Sequence, residues 1–194
     1  MKSSLVRRVL VAASLAASVV LTGCAQFKLG APAASMENIQ KAKAVGMLPV
    51  AVGSFVLAPG KEPGIDKSLS LRGNPLVSPI DESFAKYLGE TLRVELAAAG
   101  LIDPASATSI QGFLTASRAD ASIGSGSGAL AARFVVMRTG RSIYDKELTV
   151  DASWESSFVG AVAIPAARNE YAALYRKLVG ALLADPAFRK AMAP

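Results

Sequence analysis

Hydrophobic and polar positions alternate along the chain in a way that divides it into a short series of elements. Val45 to Leu57 is apolar and rich in β-branched residues, the pattern of a buried strand, with Pro49 and Gly53 marking an edge or a bulge. Ala58 to Val77 is punctuated by Pro59, Gly60, Pro63, Gly64, Gly73 and Pro75 and reads as a long loop. Ser78-Pro79 then predicts a helix, with Ser78 as N-cap, Pro79 at the first helical position and Asp81 and Glu82 in the first turn. Ile80, Phe84, Leu88, Leu92, Leu96 and Ala99 fall on one face of it, and Gly100 stops it. Ser109 to Ser117 predicts a strand, and the Gly124–Gly128 run of alternating glycine and serine a flexible connection. Ala129 to Arg138 and Ser142 to Trp154 predict two more strands, joined by a tight turn at Thr139-Gly140. Pro165 opens a last long helix striped by Tyr171, Leu174, Leu178 and Leu182, and Asp185-Pro186 caps a final turn carrying Phe188. This order predicts an α+β fold: an antiparallel sheet of about four strands with two helices packed on one face, in a single domain over residues 45–194.

The N-terminus has a different pattern. Lys2, Arg7 and Arg8 precede an apolar run, Val9 to Leu21, interrupted only by Ser14 and Ser18. Thirteen residues fall short of the roughly 20 that a helix needs to cross a bilayer, so the segment reads as a signal peptide. Leu21-Thr22-Gly23-Cys24 follows and resembles the lipobox of bacterial lipoproteins. The resemblance implies removal of residues 1–23 and lipid attachment at Cys24, the only cysteine in the chain. The cut of an ordinary secretory signal would want an Ala-x-Ala pattern, of which Ala17-Ser18-Val19 is a poor version. Residues 24–44, small and polar with Gly30, Pro32 and Ser35, read as a lipidated N-terminus followed by a flexible tether. Ala25 after the cysteine, where aspartate would signal retention, resembles the sorting pattern for the inner leaflet of the outer membrane, facing the periplasm.

Charge narrows the choice of partners. The 21 basic and 15 acidic residues give +6, but residues 1–23 hold three of the bases and no acid, so the mature chain carries only +3. Its basic residues are scattered singly, with little aromatic interleaving, which argues against nucleic acid. The expected attachment is the membrane, through the lipid on Cys24, with an envelope protein or a lipid as the further partner.

The side chains offer little for catalysis. There is no histidine, which removes the commonest general base and metal ligand. No cofactor or metal is expected beyond the covalent lipid. Asp145, Glu147 and Asp151 fit a solvated strand face better than a metal site. Ser83-Phe84-Ala85-Lys86 has the S-x-x-K spacing of penicillin-recognising acyl-transfer enzymes, and Arg138-Thr139-Gly140 loosely echoes their K-T-G. No S-D-N lies between them, and a polar pair on the outer face of a helix accounts for the spacing. The glycine run is followed by a β-rich segment, where a phosphate cradle would need a helix start. The segment from Trp154 to Pro165 has two readings. It is a buried strand-to-helix connection, or Trp154, Phe158, Val159, Val162 and Ile164 form an exposed apolar lip that contacts a partner or lipid.

Taken with Ser70-Leu71-Arg72-Gly73, Glu95-Leu96-Ala97-Ala98-Ala99-Gly100-Leu101 and Leu182-Leu183-Ala184-Asp185-Pro186-Ala187-Phe188, the chain resembles a family of uncharacterised proteobacterial lipoproteins. Its plan is also similar to the YajG-type outer-membrane lipoproteins. The resemblance implies location and fold and supplies no catalytic residues. The expectation is a non-enzymatic lipoprotein that binds a protein partner in envelope assembly or maintenance. The alternatives are an amphiphile carrier with a cavity between sheet and helices, and an acyl-transfer enzyme centred on Ser83 and Lys86.

Overall fold

The computed structural model describes residues 26–193. In chain order its elements are β1 (Phe27–Lys28), α1 (Met36–Val45), β2 (Ala51–Leu57), α2 (Gly64–Lys67), β3 (Leu69–Leu71), β4 (Asn74–Val77), α3 (Phe84–Ala98), β5 (Thr108–Asp120), β6 (Gly124–Arg138), β7 (Arg141–Ser156), α4 (Gly160–Ala184) and α5 (Pro186–Met192). The main sheet has the order β2-β5-β6-β7, and a small one the order β1-β4-β3.

Hairpins hold β5, β6 and β7 antiparallel, as expected. Thr139 (φ 48°) and Gly140 (φ 79°) are both left-handed, the two-residue turn whose twist suits a tight hairpin. The fourth strand departs from the expectation: β2 lies parallel to β5, so the sheet is mixed. Between them the chain runs through α2, the small sheet and α3, a crossover long enough to return it to the end at which β2 began.

Both long helices, α3 and α4, cover one face of the sheet, where Ile110, Leu114, Leu130, Phe134 and Val136 meet Leu88, Leu92, Leu96, Leu178 and Leu182, all fully buried. Inside this layer Tyr171 Oη lies 2.6 Å from Ser117 Oγ and 2.7 Å from Tyr175 Oη. Burial pushes both phenols above their ordinary pKa. On the opposite, open face Arg133 pairs with Asp145 and stacks over Phe113, and this pairing holds the Asp145 carboxyl below its usual value.

The glycine run is not a flexible connection. Gly124 to Gly128 opens β6, in register with Ser156 to Ala152 of β7. Gly126 lies opposite Trp154, and a Cβ there would come within 2.2 Å of the indole Nε1. A Cβ on Gly128 would come within 2.9 Å of Leu174 Cδ1. The glycines make room for large side chains arriving from a neighbouring strand and helix, which local composition does not reveal.

Three boundaries move for tertiary reasons. Residues 58–77 contain α2, β3 and β4 where a loop is expected. α3 starts at Phe84 with Ser83 as its N-cap, and Asp81 and Glu82 sit outside it with left-handed φ of 48° and 51°. The carboxylate that serves this helix start comes from α2: Asp66 accepts from Ser83 Oγ at 2.9 Å and from Ala85 N at 2.7 Å. α4 begins at Gly160, so Pro165 lies within its second turn instead of opening it.

Candidate functional site

Two charge-free stretches, residues 121–128 and 156–167, meet at the end of the sheet where β5 turns into β6 and β7 leads into α4. They leave Ile123, Phe158, Val159 and Val162 exposed by 72%, 77%, 41% and 58%. A cleft of about 510 Å³ lies among them, lined by Ile123, Phe158 and Val162 and bordered by Glu155 and Ser157. Single exposed hydrophobics are ordinary; four grouped on two adjoining loops and the first turn of α4 mark a contact surface.

Arg72 holds this tip together. It occupies the β3–β4 turn with a left-handed φ of 51°, a turn that Asn74 braces by donating from Nδ2 to Leu71 O and Arg72 O. Its guanidinium donates to Ala121 O at 2.5 Å, Ser157 O at 2.6 Å, Phe158 O at 3.1 Å and Ser156 Oγ at 3.3 Å. One planar fork of donors thereby ties both loops to the small sheet.

Of the residues singled out from sequence, Phe158, Val159 and Val162 lie on the exposed tip. Ile164 does not: at 9% exposure it faces the core. Trp154 packs against the core over Gly126 and is only partly exposed. Turning the chain into a helix at Gly160 alternates these residues between outside and inside, which is why the lip contains only some of them. Ile123 and Arg72 were missed. Ile123 is an apolar residue beside a glycine in a polar loop, a visible but weak signal; the acceptors of Arg72 come from segments far apart in sequence.

The expected tether is folded. Fully buried Glu95 accepts from Ser35 N at 2.9 Å, Ser35 Oγ at 3.1 Å and Asn38 Nδ2 at 2.9 Å, and Asn38 Nδ2 also donates to Arg176 O. Ser35 caps α1, which is thereby fastened to α3 and α4. Upstream, Tyr87 Oη donates to Gly30 O, and β1 joins β4. The small and polar residues of this segment suggested flexibility; three hydrogen bonds to one buried carboxylate override that tendency. Cys24 lies outside the described residues.

The Ser83–Lys86 pair is not arranged as a nucleophile and base. Ser83 Oγ accepts from Lys86 N and donates to Asp66, while Lys86 Nζ bonds Asp81 at 2.9 Å. Asp145, Glu147 and Asp151 spread along β7, and no group of three or more potential metal-ligating side chains occurs among the described residues. A cavity of about 630 Å³ on the open face is bordered by Arg118, Asp120, Ser127 and Asp151. Another, of about 540 Å³, lies at the far end between Leu48, Thr108, Arg138 and Met192. Among the described residues no helix is long and apolar enough to cross a membrane.

No protein-family model matches the chain, and no curated protein is similar enough to count as a relative. The fold has a precedent. Protein XCC0632 from Xanthomonas campestris, described as DUF330, superposes with a TM-score of 0.50 over 82% of this chain and 95% of its own, at 15% identity. At that identity the likeness is one of fold. A minor lipoprotein from Acinetobacter baumannii aligns over 68% of this chain and 92% of its own at 16% identity, with a TM-score of 0.35, below the level that marks a common fold.

Proposed function

We propose that this chain is a lipid-anchored envelope lipoprotein that acts by binding and not by catalysis, in the assembly or maintenance of the cell envelope. The reading rests on one observation: an uncharged apolar tip, held by Arg72, stands exposed on a domain whose N-terminal strand begins three residues after Cys24. Side chains that water solvates poorly, kept in place by a dedicated arginine, suit a surface made to be covered. The lipobox-like Leu21–Cys24 segment, the likeness in plan to YajG-type lipoproteins and Ala25 support attachment to the inner leaflet of the outer membrane. A docking role suits the molecule better than a carrier role. The carrier would need a cavity between sheet and helices, and Phe84, Phe134, Tyr171 and Tyr175 fill that space.

Metabolic labelling with a fatty-acid probe tests the anchor. The wild-type chain is expected to take up label and to sediment with outer membranes, and Cys24→Ser to lose both properties. Label uptake that survives Cys24→Ser, or a wild-type protein recovered unlabelled, overturns the proposal.

A further inference from the structure

The apolar tip and the start of the domain lie at the same end of the molecule. β1 runs parallel to β4, with Phe27 opposite Leu76 and Lys28 opposite Val77. β4 itself leaves the Arg72–Gly73 turn, since Leu71 pairs with Asn74. The chain therefore enters β1 from the side of that turn, and the arginine of the turn grips the two loops of the tip. Cys24 is three residues before Phe27, a span of at most about 11 Å however the chain runs. Because α1 is fastened through Glu95, no longer leash is available without breaking the fold.

We infer that the occupant of the apolar tip is the bilayer that holds the Cys24 acyl chains, so that Ile123, Phe158, Val159 and Val162 enter its headgroup region and the domain stands on the membrane in one orientation. The inference rests on the lipid anchor proposed above and names what its tip contacts. Four features favour lipid over a protein partner at this place. Neither loop carries a charge that would have to leave water, and Glu155 lies at the border of the cleft. Four side chains make a small patch, whereas a stable protein interface covers about 800 Å² on each partner. Because the acyl chains on Cys24 already supply firm attachment, a patch this small need only orient the domain on the bilayer and not hold it there. Last, the 25-residue helix α4 starts at the tip with Val159 as N-cap and no side-chain cap, so its positive dipole end faces the depth at which lipid phosphates lie.

One geometric consequence follows. β6 leads away from the tip over 15 residues, so the Thr139–Gly140 turn stands up to about 50 Å from the tip. The exposed Leu48 and the cavity beside it lie at that far end, out of reach of the bilayer.

The test uses the full lipidated protein with Phe158→Cys, Val162→Cys or Leu48→Cys as the single free thiol. Each carries an environment-sensitive fluorophore and is reconstituted into vesicles of phosphatidylethanolamine and phosphatidylglycerol. At positions 158 and 162 emission should shift to the blue, quenching by spin-labelled lipid should appear, and quenching by aqueous iodide should fall several-fold relative to position 48. A label at 158 that iodide reaches as freely as the one at 48 overturns the inference. In cells, a photo-crosslinking residue in place of Phe158 should yield lipid adducts; a discrete protein adduct overturns it. Intact-mass measurement separates the two levels. A free thiol at Cys24 removes the anchor and the inference together, whereas a lipidated chain with a water-exposed tip removes the inference alone.

Discussion

Gly126→Ala separates a strand that needs glycine from a linker that merely contains it. In a flexible connection the added methyl group would leave the folded state untouched and restrict the unfolded one, raising stability by about 0.4–1 kcal/mol. In β6 the new Cβ would lie 2.2 Å from Trp154 Nε1 and 2.4 Å from its Cε2, far inside contact distance, so the indole or the strand must move. Overpacking of this kind costs about 1–3 kcal/mol. Set against the unfolded-state gain, the net loss is about 1–2 kcal/mol, or a fall in Tm of about 3–6 °C for a domain of this size. Thermal unfolding followed by circular dichroism reads this directly. Trp154 is the only tryptophan, so its emission should shift to the red in the variant. The comparison is then repeated in a Trp154→Ala background, where the collision no longer exists and Gly126→Ala should become neutral or mildly stabilising. An unchanged or higher Tm in the Trp154 background would refute the assignment of this segment to a packed strand.

Other perturbations address contacts that hold the fold around the tip and at its far end. Glu95→Ala strands three donors from Ser35 and Asn38 and should cost about 3 kcal/mol, with hydrogen exchange rising first across residues 36–45 as α1 detaches; exchange that stays slow there contradicts the clamp. Arg72→Ala removes four acceptor contacts and should cost about 2–3 kcal/mol, with faster exchange at residues 121–123 and 156–159 while the α3 amides stay protected. Asp185 caps α5 through Ala187 N and Phe188 N and pairs with Lys146 at 2.5 Å. Burial works to raise its pKa, but Lys146 and the two backbone donors outweigh that and hold the carboxyl below its ordinary 3.8. A depressed native pKa adds stability that is present above the unfolded value and lost as pH falls through the native one. Asp185→Asn, which keeps a capping side chain, should therefore lower the unfolding free energy read from urea titration at pH near 7 by up to about 1 kcal/mol for a partly exposed pair. The difference from wild type should close below the native pKa, and a gap that persists in acid speaks against the ion pair.

Local chemistry was legible wherever an element's signal lies within itself. The stripe from Phe84 to Leu96, the stripe from Tyr171 to Leu182, the Asp185-Pro186 cap and the Thr139-Gly140 turn each state their conformation in a few neighbouring residues. The two helices on one face follow from that reading, whereas for Phe158, Val159 and Val162 the sequence left a buried connection and an exposed lip both open, and the fold exposes them.

What tertiary structure alone decided involves partners distant in sequence. Glu95, 60 residues from Ser35, converts an apparent tether into a docked helix. Trp154 gives a glycine-serine run its place in a strand, and Asp66 moves a helix start from Ser78 to Ser83. Arg72 gathers acceptors 49 and 86 residues away into one tip, and the crossover through α3 makes β2 parallel. A buried charge or a bulky ring is satisfied only by what the whole fold brings to it, so its effect on local conformation is set after the chain has closed on itself.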